Sequence, residues 1–216
     1  MLDFTFYHNP MSRSCIAHWA LREVSAGYDA VPVEWGAKPQ GLLDANPMGK
    51  IPTLVHHHAQ MLGGSHDHVI TETPAICHYL AEIYPSAGLL PDTHERAAYF
   101  RWLFFAAGPL EAAVMAKSMG WEVADDKRAM AGFGTYELAV DTLDRWLKDH
   151  AFVCGDRFTM ADVYVGSQVD WGLIFESLPD LPSFKAYQAR LNERPAKKAR
   201  EAADVELRDE MAADDT

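Results

Sequence analysis

Three stretches of this sequence carry side chains with usable chemistry. The first is Tyr7-His8-Asn9-Pro10-Met11-Ser12-Arg13-Ser14-Cys15, where an alternating segment passes through a proline turn into a helix-like pattern. Hydroxyls at a helix start stand beside unpaired backbone N–H groups and the positive end of the helix dipole. A thiolate placed there gains from both the dipole and the hydroxyl donors. A free thiol, with a reference pKa of about 8.5, is only slightly ionised at neutral pH, so lowering that pKa raises the nucleophile concentration. The plain alternative is a polar cap on a core helix.

The second stretch is Ile70-Thr71-Glu72-Thr73-Pro74-Ala75-Ile76. Thr73 suits an N-cap and Pro74 the first helical position. The free N–H groups of such a helix start bind anions. The Thr73 hydroxyl adds a donor for a carboxylate, and Glu72 accepts from an ammonium, so the pair suits a zwitterionic amino-acid head group. An ordinary capped helix explains the same residues. The third stretch is Asn46-Pro47-Met48-Gly49-Lys50-Ile51-Pro52-Thr53-Leu54. Pro52 opens a strand, where it cannot donate to the ladder. Either a trans proline at the strand start or a cis Ile51–Pro52 bond at a bend with exposed backbone accounts for it.

The elements that must hold these residues follow from periodicity. Residues 2–7 and 28–34 read as strands flanking a helix over 14–25, whose apolar positions include Ile16, Trp19, Ala20, Leu21 and Val24. Residues 36–49 read as loop or short helix, 51–55 and 69–71 as strands around a loop holding Gly63 and Gly64, and 74–83 as a helix. After Tyr84 the pattern changes to long helical segments over 94–118, 127–149, 159–175 and 183–193. Strands followed by helices in blocks indicate two modules: an α/β module over 1–84, a Pro/Gly linker over 85–92, and an all-helical module over 93–216. The acidic stretch 201–216 reads as a frayed tail. Thr159 and Asp162 have the spacing of a capping box, with Phe158 and Val163 as a hydrophobic staple. That motif serves folding.

The chain has 216 residues and a formal net charge of −12. This acidity argues against nucleic acid and anionic membranes as partners. No apolar run is long enough to span a bilayer, and residues 1–9 do not read as a signal peptide. Three scattered cysteines, Cys15, Cys77 and Cys154, do not form a disulfide framework and fit a reducing cytoplasm.

Taken in order, the segment 46–54, the segment 71–76 with Tyr79-Leu80 behind it, and Gly155-Asp156-Arg157-Phe158-Thr159-Met160-Ala161-Asp162 resemble the glutathione S-transferase family over nearly the whole chain. The resemblance implies a thioredoxin-like βαβ-ββα domain followed by an all-helical domain, with glutathione as co-substrate. It places the Ile51 backbone, ahead of the cis proline Pro52, against the cysteinyl part of glutathione. It sets Glu72 and Thr73 on the γ-glutamyl ammonium and carboxylate, and Lys50 near the glycyl end. A small hydrophobic electrophile would sit between domains against Met11 and the helix bearing Tyr99, Trp102 and Phe105, though helix core explains those aromatics too. Ser12, three residues before Cys15, matches the position of serine-type members and is the preferred thiol activator, with Arg13 assisting. Ser14 and Tyr7 are the other candidates. Aligned on His18 and Leu21-Arg22-Glu23, the cysteine of cysteine-type members falls at Arg13, and Cys15 reads as a buried small residue.

The implied activity is transfer of alkyl or aryl groups to glutathione, in detoxification, by a cytoplasmic homodimer. The same resemblance admits a glutathione-dependent dehalogenase, isomerase or peroxidase, or a non-catalytic binding module. A Cys-x-x-Cys oxidoreductase is disfavoured because the first turn has no such pair. The histidines His56-His57-His58 and His66-Asp67-His68 depart from the family pattern. Alternation puts His56 with His58 on one face, and His66 with His68, with His58 and His68 opposite one another. The expected state is a solvated polar loop without resident metal. An adventitious zinc, copper or nickel site is the alternative.

Overall fold

The computed structural model describes residues 3–61 and 64–214, with the side chains of residues 58–65 and 214 outside the described set. The chain divides into two compact units, one of residues 1–87 with 194–216 and one of residues 88–193. The expected all-helical module over 93–216 therefore loses its last segment to the first unit.

In the first unit, β1 (Phe4–His8) and β2 (Tyr28–Pro32) pair in parallel, with Phe4 opposite Tyr28 and His8 opposite Pro32. Parallel neighbours need a crossover, and α1 (Ser14–Glu23) supplies it. After α2 (Gln40–Ala45), β3 (Thr53–Met61) and β4 (Gly64–Ile70) extend the sheet antiparallel in the order β2-β1-β3-β4, and α3 (Thr73–Ile83) follows. Every residue of α1 from Ser14 to Leu21 is buried. The helix packs against α3 and against α9 (Pro195–Asp214).

α9 is the largest departure from the sequence reading, which saw a frayed acidic tail over 201–216. Its docking rests on charge. Arg194 makes a bidentate pair with Glu23, Nε and Nη2 donating at 2.5 and 2.6 Å. Glu23 Oε1 also accepts from Trp19 Nε1 at 2.8 Å. Lys197, 2% exposed, lies 5.8 Å from the Trp19 ring centroid. These partners are remote in sequence, and no short-range motif announces them.

The hairpin also differs from expectation. The histidine segment is strand, not loop. His56, rather than His58, stands opposite His68, because the register shifts between His56 and Ala59, and His66 faces Ala59. The bulge inserts residues on one strand only. The His58 side chain is outside the described residues. His56 Nδ1 pairs with Tyr79 Oη at 2.8 Å, and His57 lies between Thr5 Oγ1 (2.8 Å) and Asp67 Oδ2 (3.0 Å). Among the described residues these histidines form no three-ligand cluster.

The second unit contains α4 (Arg96–Phe105), α5 (Glu111–Ser118), α6 (Tyr136–Asp149), α7 (Met160–Ile174) and α8 (Pro182–Asn192). The run expected over 94–118 is helical but changes to a π-helical turn over Ala106–Leu110, at Pro109. Proline removes a hydrogen bond there. Residues 125–130 form a 3₁₀ turn ahead of α6. The capping box at Thr159 and Asp162 is present at the start of α7. Asp162 Oδ2 accepts from the Thr159 amide at 2.8 Å, and its Oδ1 accepts from the Val153 amide and Tyr187 hydroxyl at 2.9 and 2.7 Å. Arg157 donates to the carbonyls of Gly88 and Leu90 at 2.7 and 2.8 Å and pairs with buried Glu95, which ties down the start of this unit.

Candidate functional site

Strand register gathers the three chemistry-bearing stretches at one end of the sheet. β1 runs toward that end, and the loop 9–13 leaves from it. Tyr7 is opposite Thr53, so the antiparallel β3 begins there, directly after Ile51–Pro52. Ile70 is opposite Leu54, so β4 finishes there and leads into Glu72 and Thr73. No sequence motif contains this convergence. It follows from pairing alone.

The Ile51–Pro52 peptide is cis. The bend before it is braced from within by Asn46 and Thr53. Asn46 Nδ2 donates to the Lys50 carbonyl and to Thr53 Oγ1, both at 3.1 Å, and Thr53 Oγ1 donates to the same carbonyl at 2.8 Å. Ile51 is half-buried, and its own backbone groups make no hydrogen bond within the described residues. They are open to an extended ligand. Lys50 is exposed at the same bend.

At the start of α3, Glu72 is the flanking residue and Thr73 the first helical one, with no side-chain cap bond. The expected Thr73 N-cap is thus shifted by one position. Glu72 has φ +62°, unusual for a side chain other than glycine, asparagine or aspartate. It leaves the Glu72 carboxylate exposed ahead of a helix whose first N–H groups have no side-chain cap. Thr73 is buried, and its hydroxyl makes no hydrogen bond within the described residues. A carboxylate and an ammonium on one ligand would satisfy both residues.

The loop 9–14 is a closed polar knot. Asn9 anchors it through Nδ2 to the Val33 carbonyl at 2.8 Å and through Oδ1, which accepts the Met11 amide at 2.8 Å. Ser12 Oγ lies 2.9 Å from the Asn9 carbonyl and 2.6 Å from Ser14 Oγ. Ser14 Oγ also accepts the Asn9 amide at 3.0 Å. Ser14 has no exposed surface, whereas Ser12 keeps 9%. Of the two residues only Ser12 keeps any exposed surface. Arg13 is exposed and flanks α1.

The other candidates are placed elsewhere. Tyr7 packs with Val33, Leu42 and Val55 on the α2 face of the sheet. Its hydroxyl is close enough to Gly41 that a Cβ there would come within 2.6 Å. Burial and then the Asp44 charge raise the Tyr7 pKa, which makes it a poorer proton donor. Cys15 donates to the Pro10 carbonyl, and burial followed by the Asp204 charge pushes its thiol up to about 12, so it stays protonated. Tyr99 and Trp102 have no exposed surface. Trp102 packs with Phe105 and Trp146 at 5.3 Å in each case, so the side chains of this pair are helix core. Phe105 is half-buried. Met11 is 56% exposed and lines a groove of about 470 Å³ with Trp35, Arg208 and Met211.

His8, Asn9, Trp35, Asn46 and the α9 residues were not singled out by the sequence. His8 and Asn9 lay within the 7–15 stretch and Asn46 began the 46–54 segment, whereas Trp35 and the α9 residues carried no signal.

Comparison with known proteins agrees with this geometry. Residues 2–82 match the family model for the glutathione S-transferase N-terminal domain, and residues 102–195 match that for the C-terminal domain. The glutathione S-transferase GstA of Escherichia coli O157:H7 is 27% identical over 199 residues, covering 88% of this chain and 92% of that protein. The crystal structure of a glutathione transferase from Methylococcus capsulatus superposes with a TM-score of 0.72 at 27% identity, over 93% of this chain and 98% of that one. A sphingomonad glutathione S-transferase complexed with glutathione gives a TM-score of 0.70 at 25% identity, with 93% and 98% covered. Both domain models match in order, the four-stranded mixed sheet precedes the helical unit, and the chain belongs to the glutathione S-transferase family.

Proposed function

We propose that this protein is a serine-type glutathione transferase that activates the glutathione thiol at Ser12 for attack on a small hydrophobic electrophile. The observation that carries the reading is the strand register, which brings Ser12, Ile51–Pro52 and Glu72–Thr73 to one end of the sheet. In this reading the γ-glutamyl carboxylate takes the Thr73 hydroxyl and the α3 N–H groups, and its ammonium takes Glu72. The cysteinyl N–H and C=O pair with the Ile51 backbone, and Lys50 faces the glycyl carboxylate. The sulfur then meets the Ser12 hydroxyl at the positive end of α1.

The thiol proton leaves to water, and Ser12 Oγ–H donates to the sulfur anion, lowering the thiol pKa. The thiolate attacks carbon, forming a C–S bond as a halide leaves, or as an epoxide opens and takes a proton from water. Bound orientation adds to the rate. The electrophile occupies the groove beside Met11, lined by Trp35 and Met211. Arg13, at the helix start, assists by its charge. The protein works as a cytoplasmic homodimer in detoxification. The exposed, stacked Phe100 and Phe104 of α4 support association.

The test is the ultraviolet difference spectrum of bound glutathione across pH, for wild type and Ser12→Ala. Thiolate forming well below the free pKa, and lost in the variant with a drop in kcat/KM of roughly 10²-fold, supports the reading. Absence of glutathione binding would falsify it. Unchanged thiolate in Ser12→Ala would move the role to another residue.

A further inference from the structure

Ser12 sits at the open end of a hydrogen-bonded chain that crosses the first unit. Ser12 Oγ is 2.6 Å from Ser14 Oγ, Ser14 Oγ is 2.7 Å from His8 Nδ1, and His8 Nε2 is 2.9 Å from Asp204 Oδ1. Asp204 lies on α9, 196 positions after His8, and beyond residue 195, where the C-terminal family match ends. His8, Ser14 and Asp204 are 1%, 0% and 7% exposed. All three are buried, and α1 is anchored to α9 through them.

The partners favour one direction for each proton. A carboxylate can only accept, so His8 Nε2 carries the hydrogen donated to Asp204. With the ring neutral, Nδ1 is then an acceptor to which the Ser14 hydroxyl donates, and the Asn9 carbonyl, 2.8 Å from Ser14 Oγ, is the competing acceptor for that proton. Asp204 Oδ1 also accepts from His18 Nδ1 at 2.6 Å. Arg22 Nε, which can only donate, reaches His18 Nε2 at 3.3 Å, and Tyr28 Oη is 2.6 Å from the same nitrogen. His18 Nε2 therefore bears no proton, and its Nδ1–H is committed to Asp204. The remaining groups facing Asp204 are Arg200, whose Nη1 donates to Oδ2 at 3.4 Å, and protonated Cys15.

Two other readings of this cluster fail. His8, His18 and Asp204 present three ligand atoms within 4.8 Å of one another, as a metal site would. Yet the two ring nitrogens stand 2.9 and 2.6 Å from the carboxylate oxygen, hydrogen-bond distances, and closer than ligand atoms spread around one ion at about 2.0–2.1 Å each would stand. A Ser–His–Asp hydrolase needs an accessible nucleophile, and Ser14 has no exposed surface. Ser12, at the other end of the chain, is the one of the two serines that keeps any exposed surface.

We propose that Asp204, His8 and Ser14 are positioning residues that hold the Ser12 hydroxyl and leave its proton free to turn outward onto the sulfur of glutathione. This rests on the functional reading given above. With the Ser14 proton spent on His8, the Ser14 oxygen still accepts the Asn9 amide when Ser12 turns away. The Asn9 carbonyl still accepts the Ser12 amide at 3.0 Å. Ser12 can thus donate outward without leaving a buried group unpaired. Breaking the chain removes this single arrangement. Ser14→Ala orphans His8 Nδ1 and the Asn9 amide. Removing His8 turns the Ser14 proton back toward the Asn9 carbonyl or Ser12.

The experiment measures the pKa of bound glutathione in wild type, Ser14→Ala, His8→Phe and the double variant, together with the affinity for S-methylglutathione, which has no thiol to ionise. Each single variant is expected to lower the bound thiolate fraction at neutral pH about tenfold. The double variant is expected to lose no more than the worse single one, and S-methylglutathione should bind within about twofold of wild type. His8→Phe keeps a ring against Phe6, now 5.0 Å from the His8 ring. Ser14→Ala is the smaller perturbation and decides the matter by itself if His8→Phe does not fold. Wild-type thiol pKa in the Ser14→Ala variant overturns the proposal. So does a loss of S-methylglutathione affinity equal to the loss of thiolate, or full additivity in the double variant. A wild type that binds no glutathione overturns the transferase reading itself.

Discussion

Asp162 in the helical unit and Asp204 on α9 are both buried carboxylates with several hydrogen bonds, but their surroundings act on them in opposite directions. Asp162 is met by neutral donors: two backbone amides, a threonine hydroxyl and the Tyr187 hydroxyl. Burial outweighs these donors and lifts its pKa to about 6. Asp204 is also penalised by burial, yet hydrogen bonds from His18 and then His8 outweigh it and hold the carboxyl well below the usual carboxylate range. The lesson is that a carboxylate's state follows the balance between the cost of burial and the hydrogen bonds and charges that meet it, and that balance falls on opposite sides at these two residues. Asp162 gathers the backbone of one helix start and its neighbours. Asp204 reaches, through histidine, into the loop that carries Ser12.

The strongest way to break the comparison is Asp162→Ala. Three donors with no other acceptor among the described residues, the Val153 and Thr159 amides and the Tyr187 hydroxyl, would be orphaned, and each buried loss costs about 1–3 kcal/mol. A destabilisation of about 4 kcal/mol is expected in urea titration. A loss below about 1 kcal/mol would show that Asp162 is a replaceable cap.

A pH series sharpens the contrast. The folded pKa of Asp162 is raised above its unfolded value, so the stability it contributes is full below about pH 3.8 and is lost as pH rises toward about 6. The folded pKa of Asp204 is depressed, so its contribution is present above the unfolded value and disappears as pH falls below about 3.8. Asp162→Asn should flatten the decline between about pH 4 and 6, and Asp204→Asn the decline on the acid side. Thermal melts across pH in the two variants would show it. The same change of slope in both variants would mean that the two carboxyls do not differ.

The smallest effect is Thr159→Ala, which keeps the Asp162 bonds to the Val153 amide and Tyr187 but removes the cap hydroxyl. About 1 kcal/mol is expected. A value near that of Asp162→Ala would place the work of this junction in the threonine instead.

These predictions mark where the sequence was readable. The capping box at Thr159 and Asp162 was legible because both partners fall within one helical turn. The Val153 and Tyr187 bonds were not, because Tyr187 comes from α8. The same limit holds at the candidate site. Ser12 and Ser14 were both visible at a helix start, but nothing in their spacing says which one is fully enclosed. Their difference comes from His8 and Asp204, which draw Ser14 inward. The histidines near residue 60 misled for a related reason. A bulge changes register, and alternation alone assumes that there is none.

Local pattern by itself determined the two kinds of module, the alternation of strands and helices, the caps, and the short motifs by which the family is recognised. Each of these depends on residues a few positions apart, whose proximity the chain's own geometry enforces. Tertiary structure alone decided that the last helix returns to the first unit, that Tyr7 and Trp102 are core, and that Ser14 is fully enclosed while Ser12 keeps a little surface. Those outcomes depend on ion pairs and hydrogen bonds between remote residues such as Glu23 with Arg194 and His8 with Asp204. Their proximity is set by how helices and strands pack, and no period in the sequence records it.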